Sequence, residues 1–170
     1  MNVSLFCGRA LLTPTNAVVD ILNPQILAQF PPESTTSYFS VDAVDAATPE
    51  ETALWPLDFL HSLTPAGMPP HELILAPGAL IMLLRNIDAD AGLCNGVRGV
   101  VLQTLPHVLD VVILSGTKAG KRVYIPRVML APKNPDLPYI LRRRQFPVSL
   151  CRCIGIFSWS FVISHQLVTK

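Results

Sequence analysis

The chain has 170 residues, half of them hydrophobic, and a mean hydropathy of +0.42, which excludes a disordered tail and allows one ordinary domain or two small ones. Sixteen prolines exclude long helices, because proline lacks an amide donor and clashes with the preceding turn. The net charge of +1 hides a division: residues 1–75 hold eight acidic side chains against one basic, and residues 76–170 hold twelve basic against four acidic, as expected of a second half that faces a polyanion.

The first segment, Gly8 to Asn16, starts apolar and ends in turn chemistry, so it reads as a buried strand running into a loop with Asn16 as a helix cap. Val18, Val19, Ile21, Leu22, Ile26 and Leu27 then recur at near-helical spacing, and Pro24 predicts a helix broken near Asn23. Residues 31–56 combine Pro31-Pro32, a Ser/Thr run and an acidic stretch from Asp42 to Glu51. They read as exposed connecting chain with one strand at Tyr38–Val41 and with Asp42 and Asp45 solvated. Leu57 to Leu63 predicts one or two helical turns, ended by the proline-rich boundary Thr64–Pro70.

From Glu72 the pattern becomes β. Leu73–Leu75 and Ala79–Leu84 are apolar strands around the turn Pro77-Gly78, and Asn95-Gly96 is a tight-turn signal before a strand at Val97–Leu105. Val108–Leu114 and Arg122–Ile125 flank the loop Ser115–Lys121 as a hairpin. Short strands at about ten-residue spacing predict a small barrel, with Ile81, Leu83, Val100, Leu102, Val112, Leu114, Val123 and Ile125 as its core. The run Ile154–Ile163 is apolar but too short to span a membrane, which takes about twenty residues. The amino terminus lacks the charged start and small-residue cleavage site of a signal peptide.

Motifs that would carry catalysis are missing or broken. Gly116–Arg122 imitates a phosphate-binding loop, but its spacing is one residue short, Arg122 stands where a hydroxyl should, and a strand rather than a helix follows. Asp88 and Asp90 lack further oxygen ligands for calcium. Cys151-Arg-Cys153 has no second pair at zinc spacing, and the four histidines are scattered, so no metal site is expected. The triplet Arg142-Arg143-Arg144 stands out, because three adjacent guanidinium groups cannot all be buried and can contact phosphates.

Six segments in order resemble the C-terminal part of PIF-type DNA helicases, especially those of Helitron transposons. They are Arg9–Asn16, Phe59–Leu73, Gly78–Asn86, Gly92–Gly99, Gly120–Arg127 and Leu137–Val148. The resemblance implies an α/β fragment. Residues 1–60 would be part of the second RecA-like domain with an acidic loop, 61–145 an inserted all-β SH3-like barrel near the nucleic-acid path, and 146–170 a divergent tail. It implies single-stranded or duplex DNA as partner, and Arg85, Asn86, Asn95, Arg98, Arg142, Arg143 and Arg144 as candidate DNA contacts. It also implies a nuclear setting and the repair, recombination and telomere-maintenance roles of such motors.

The family's ATP and magnesium belong to motifs that this sequence does not contain, so no cofactor is expected in this chain. After Leu150 the family continues with a lysine- and glutamine-bearing motif, whereas here Cys151–Ser160 follows. The expectation is a DNA-side module of an unwinding motor without its own ATPase activity. The alternative is a β-barrel that binds protein and not nucleic acid.

Overall fold

A computed structural model describes residues 11–13, 23, 25, 27–45, 54–132, 139–151 and 153–155. Among them are twelve strands: β1 (Leu11–Thr13), β2 (Thr36–Phe39), β3 (Val41–Asp45), β4 (Glu72–Leu75), β5 (Leu80–Leu83), β6 (Arg98–Thr104), β7 (Val108–Ile113), β8 (Arg122–Pro126), β9 (Val128–Leu130), β10 (Ile140–Gln145), β11 (Val148–Leu150) and β12 (Cys153–Gly155). The expected turn of helix at Leu57–Leu63 is α1 (Leu57–Ser62), and Pro32–Ser34 forms one 3-10 turn. Of the helix expected around Asn23, only Asn23, Gln25 and Leu27 are described, and all three are helical. The described chain is thus mostly β-sheet with little helix rather than α/β.

The largest sheet has the order β11-β5-β6-β7-β8, antiparallel throughout. Its two edge strands do not pair with each other, so it is an open layer and not the closed barrel expected from strand spacing. The inner face gathers Ile81, Leu83, Val101, Leu109, Val111, Ile113, Val123, Ile125 and Val148 with Phe146, Tyr38, Leu73 and Leu75 into one cluster. Four expected core positions need correcting. Leu102 is exposed, Val112 and Leu114 are half-buried, and Val100 is buried but lies in register between Leu80 and Val112 on the opposite face. An extended chain turns alternate side chains to opposite faces, so choosing the wrong phase in β6 and β7 exchanges the two sets. A register shift between Val101 and Gln103 adds to the ambiguity.

Gly99 explains one glycine of the family-like motif. A Cβ there would sit 2.4 Å from Val111 Cγ1 and 3.1 Å from the Val112 carbonyl oxygen, so no larger residue fits between β6 and β7.

The strands on either side of residues 60 and 145 bond to one another. β2 pairs with β4, β3 pairs with β10 in the order β3-β10-β9, and β11 pairs with β5. Residues 36–45, expected as connecting chain with one strand at Tyr38–Val41, therefore supply two strands. α1 packs its one buried residue, Leu60, into a second cluster with Met68, Leu130, Tyr139 and Leu141. β1 and β12 form a parallel pair, Leu11 opposite Cys153. The remainder of the tail beyond Gly155, including the apolar run to Ile163, lies outside the described residues, as do Arg9 and Asn16 of the first family-like segment.

Candidate nucleic-acid interface

The arginine triplet lies in β10, where side chains alternate. Leu141, Arg143 and Gln145 turn inward, while Ile140, Arg142 and Arg144 turn outward. This separates the three guanidinium groups into three different roles.

Arg143 is fully buried and its five N–H donors are all used. Nε and one terminal nitrogen fork onto Asp42, with Nη2–Oδ2 at 2.6 Å. The remaining donors reach the carbonyls of Leu60, Leu63 and Pro69 at 2.9–3.0 Å. One side chain thereby ties β10 to β3, to the end of α1 and to the proline-rich loop. A guanidinium enclosed in this way cannot reach a phosphate, which removes Arg143 from the candidate DNA contacts. Asp42, expected to be solvated, has a fully buried side chain for the same reason. Arg142 pairs with Asp45 at 2.5 Å, with both partners about half exposed. Arg144 makes no hydrogen bond or ion pair among the described residues, and it lies in register between Val41 and Met129, which are 65% and 55% exposed.

Arg144 opens onto a cleft of about 580 Å³ between this sheet and the β6–β7 turn, lined also by Arg127, Tyr38, Thr36, Thr104 and His107. Among the described residues, no carboxylate lines it. Arg127 lies over the rings of Phe146 and Tyr38, 5.0 and 5.3 Å from their centroids, and donates to the Phe39 carbonyl at 2.8 Å. Its Nε is buried and has no partner among the described residues. Tyr38 donates its hydroxyl to the Leu105 carbonyl at 3.0 Å, and burial pushes its phenol above the ordinary range. The cleft thus offers one uncommitted cation, a second with an unused donor, and hydroxyl and apolar walls. That chemistry suits a phosphodiester backbone carrying planar bases.

The other four candidates lie at one end of the five-stranded sheet. Arg85 donates to the carbonyls of Leu84 and Ala131, which commits part of its guanidinium to bracing the backbone. Asn86 accepts the Asn95 backbone amide at 2.7 Å, so it braces the loop. Asn95-Gly96 makes the expected turn, closed by Val97 donating to the Cys94 carbonyl, with Gly96 at φ 85°. Arg98 anchors the Ser115 hydroxyl through its backbone amide, and its guanidinium has no partner among the described residues. Lys118 packs over Gly92, bringing the Ser115–Lys121 loop to the same end.

That loop does not fit a nucleotide's phosphates. It leads into β8, so its amides do not converge at a helix N-terminus, and Arg122 is forked onto buried Asp110. This pairing holds the Asp110 carboxyl below its usual range and the Arg122 guanidinium above its own.

The site that sequence reasoning missed is a polar network around Arg143. Ser40 donates to Asp42 Oδ1 at 2.6 Å and bonds His71 Nδ1 at 2.8 Å, while His61 stacks on His71 with centroids 3.6 Å apart and an interplanar angle of 12°. The order is aspartate–serine–histidine: the Ser40 hydroxyl donates to the carboxylate and not to the imidazole, so His71 does not serve as a base for it. The β3–β10 pairing brings Asp42 to Arg143 and the β2–β4 pairing brings Ser40 to His71, and no local spacing signals either.

Residues 58–104 match the family model for the DNA helicase Pif1 2B domain. No curated protein matches the sequence. Among solved structures, the fold is similar to a Pif1 helicase from a study of forked duplex DNA unwinding by two coordinating Pif1 helicases, with TM-score 0.62 and 23% identity over 90% of this chain and 30% of that one. It is also similar to Pif1 from Candida albicans, with TM-score 0.62 and 21% identity over 89% of this chain and 36% of that one. Bacteroides Pif1 bound to single-stranded DNA gives TM-score 0.60 and 22% identity over 89% and 31%. The chain spans about a third of the length of these relatives. The resemblance to PIF-type helicases carried by the six motifs is borne out. No helix among the described residues is long and apolar enough to cross a membrane.

Proposed function

We propose that this chain, with its Pif1 fold and Pif1 2B segment, is the DNA-side module of a Pif1-type DNA helicase. It grips the backbone of a single strand along the cleft at Arg144 and Arg127 and does not hydrolyse ATP by itself. The observation that carries this reading is Arg144: a guanidinium unpaired among the described residues, between two exposed apolar side chains, on a cleft that no described carboxylate lines. A phosphate there meets a cation with no internal competitor among the described residues, and the adjacent bases meet Val41 and Met129. The solved relative bound to single-stranded DNA supports a single strand as the partner. Arg85, Asn86, Asn95 and Arg98 line a different end, where Arg98 is the best placed to add a phosphate contact and the two asparagines shape the loop.

Fluorescence anisotropy with a labelled single-stranded oligonucleotide, repeated between about 50 and 200 mM salt, tests this reading. The unmodified chain binds with an affinity that falls with salt. Arg144→Ala weakens binding and reduces the salt slope by about 0.7, the value for one phosphate contact on a single strand. Equal binding by Arg144→Ala refutes the cleft as the interface. Absence of binding at every salt concentration refutes the DNA-side role and favours a protein partner.

A further inference from the structure

Six asparagines occur in the chain, and Asn95 is the single one followed by glycine; the others precede Val3, Ala17, Pro24, Ile87 and Pro135. A side-chain amide can be attacked by the backbone nitrogen of the next residue when no side chain shields that nitrogen. Glycine therefore gives the most open approach, and proline, which has no N–H to lose, gives none. Asn95 stands on the turn between β5 and β6, with its side chain exposed and without a hydrogen bond among the described residues. The backbone of the turn is held. Asn95 N–H donates to Asn86 Oδ1 at 2.7 Å, and Gly96 N–H, on the nitrogen that would attack, donates to the Leu83 carbonyl at 2.8 Å. Val97 N–H closes the turn onto the Cys94 carbonyl at 3.1 Å.

We propose that Asn95 is a site of spontaneous deamidation, unreactive while this turn is closed and converted when it opens, with Asn86 as the positioning residue that keeps it shut. In the step, Gly96 N forms a bond to Asn95 Cγ, the Cγ–Nδ2 bond breaks, and ammonia leaves with the Gly96 amide proton. Water then opens the cyclic imide at either carbonyl, giving aspartate or isoaspartate. No oxidant, reductant or cofactor takes part. A nitrogen whose proton is engaged by the Leu83 carbonyl is fixed in place and cannot swing onto Cγ, so the reaction follows local opening, which turns undergo more readily than core strands. The outcome is one-way. A carboxylate replaces the amide at the end of the sheet where Arg85, Arg98 and Lys118 gather, and the formal net charge of +1 falls by one. In isoaspartate the backbone runs through the former side chain and gains a methylene, so it no longer fits the span between the Leu83 and Asn86 acceptors. This site is separate from the Arg144 cleft and does not depend on the DNA reading.

The test is prolonged incubation of the full chain at mildly alkaline pH, in buffer and in urea, with tryptic peptides followed by mass spectrometry and the two acid products separated by chromatography. Asn86 and Asn95 fall in one peptide, residues 86–98, so Asn86, shielded by Ile87, is the internal reference. The expected result is conversion of Asn95 and not of Asn86, slow in buffer and accelerated in urea. Asn86→Ala removes one bond that holds the turn and speeds conversion in buffer about two- to tenfold, the factor that one hydrogen bond sets on an opening equilibrium. Leu141→Val loosens the second cluster, away from the turn, and leaves the rate in buffer unchanged. Equal rates in buffer and urea, no conversion of Asn95 in either, an unchanged rate in Asn86→Ala, or equal acceleration by Leu141→Val overturns the proposal. The comparison of buffer with urea decides it independently of how well Asn86→Ala folds.

Discussion

The five-stranded sheet and the three-stranded sheet of this chain are held together by opposite chemistry. In the first, the inner face of β5, β6, β7 and β8 is aliphatic, and its cohesion comes from apolar area removed from water. In the second, the inward positions of β10 are Leu141, Arg143 and Gln145, and the fully enclosed Arg143 spends every donor on Asp42 and three carbonyls. Gln145 likewise bonds the carbonyls of Tyr38 and His71. An aliphatic face loses stability gradually as atoms are removed. A polar centre of this kind fails abruptly, because each lost partner leaves a buried group without compensation.

The largest expected effect exploits that difference. Asp42→Ala leaves the Arg143 charge enclosed and unpaired, and should cost about 3–5 kcal/mol in denaturant unfolding. Arg143→Lys should not rescue the site, since an ammonium has three donors and no fork. A loss below about 1 kcal/mol for Asp42→Ala would remove the distinction between the two sheets. Ile113→Val, which deletes one methylene from the aliphatic face, should cost only about 0.5–1.5 kcal/mol. Smaller again is Arg142→Ala: its pair with Asp45 is half exposed, so about 0–1 kcal/mol is expected from the same unfolding curves.

Acid should also separate the two regions. The imidazole of His71 titrates below its unfolded value of 6.5, so the unfolded chain binds the extra proton first. Stability contributed by neutral His71 is complete above 6.5 and is lost as pH falls through the lowered value. His71→Gln should flatten that limb of a Tm-versus-pH curve, whereas Ile113→Val should lower the curve without changing its shape.

The aliphatic sheet was largely legible in the sequence. β-branched runs and Asn-Gly and Gly-rich turns mark β5 to β8, whereas the strand β11, the unpaired edges and the phase of β6 and β7 are not legible, the last because Val100-Val101 and Val111-Val112 put equally apolar residues on both faces. The polar sheet was not legible. Asp42 sits in an acidic, proline-flanked stretch that looks solvated, and its partner lies 101 residues away. Period-two alternation in Ile140–Gln145 could have flagged Arg143 as the inward member of the triplet, had the segment been taken as a strand. The cleft was half legible: Arg144 came from the triplet, but Arg127 gains its place only through stacking on Tyr38 and Phe146. Pairing of Gly120–Arg127 with the family motif gave no sign of that contact.

The span of Arg143's bonds has a kinetic consequence. Its partners lie 74, 80, 83 and 101 residues away along the chain, while β6, β7 and β8 follow one another through short turns. Closing such large loops costs entropy before any of the bonds can form, so the meander assembles early and the arginine docks last. Substitutions at Asp42 should therefore accelerate unfolding while leaving the refolding rate nearly untouched.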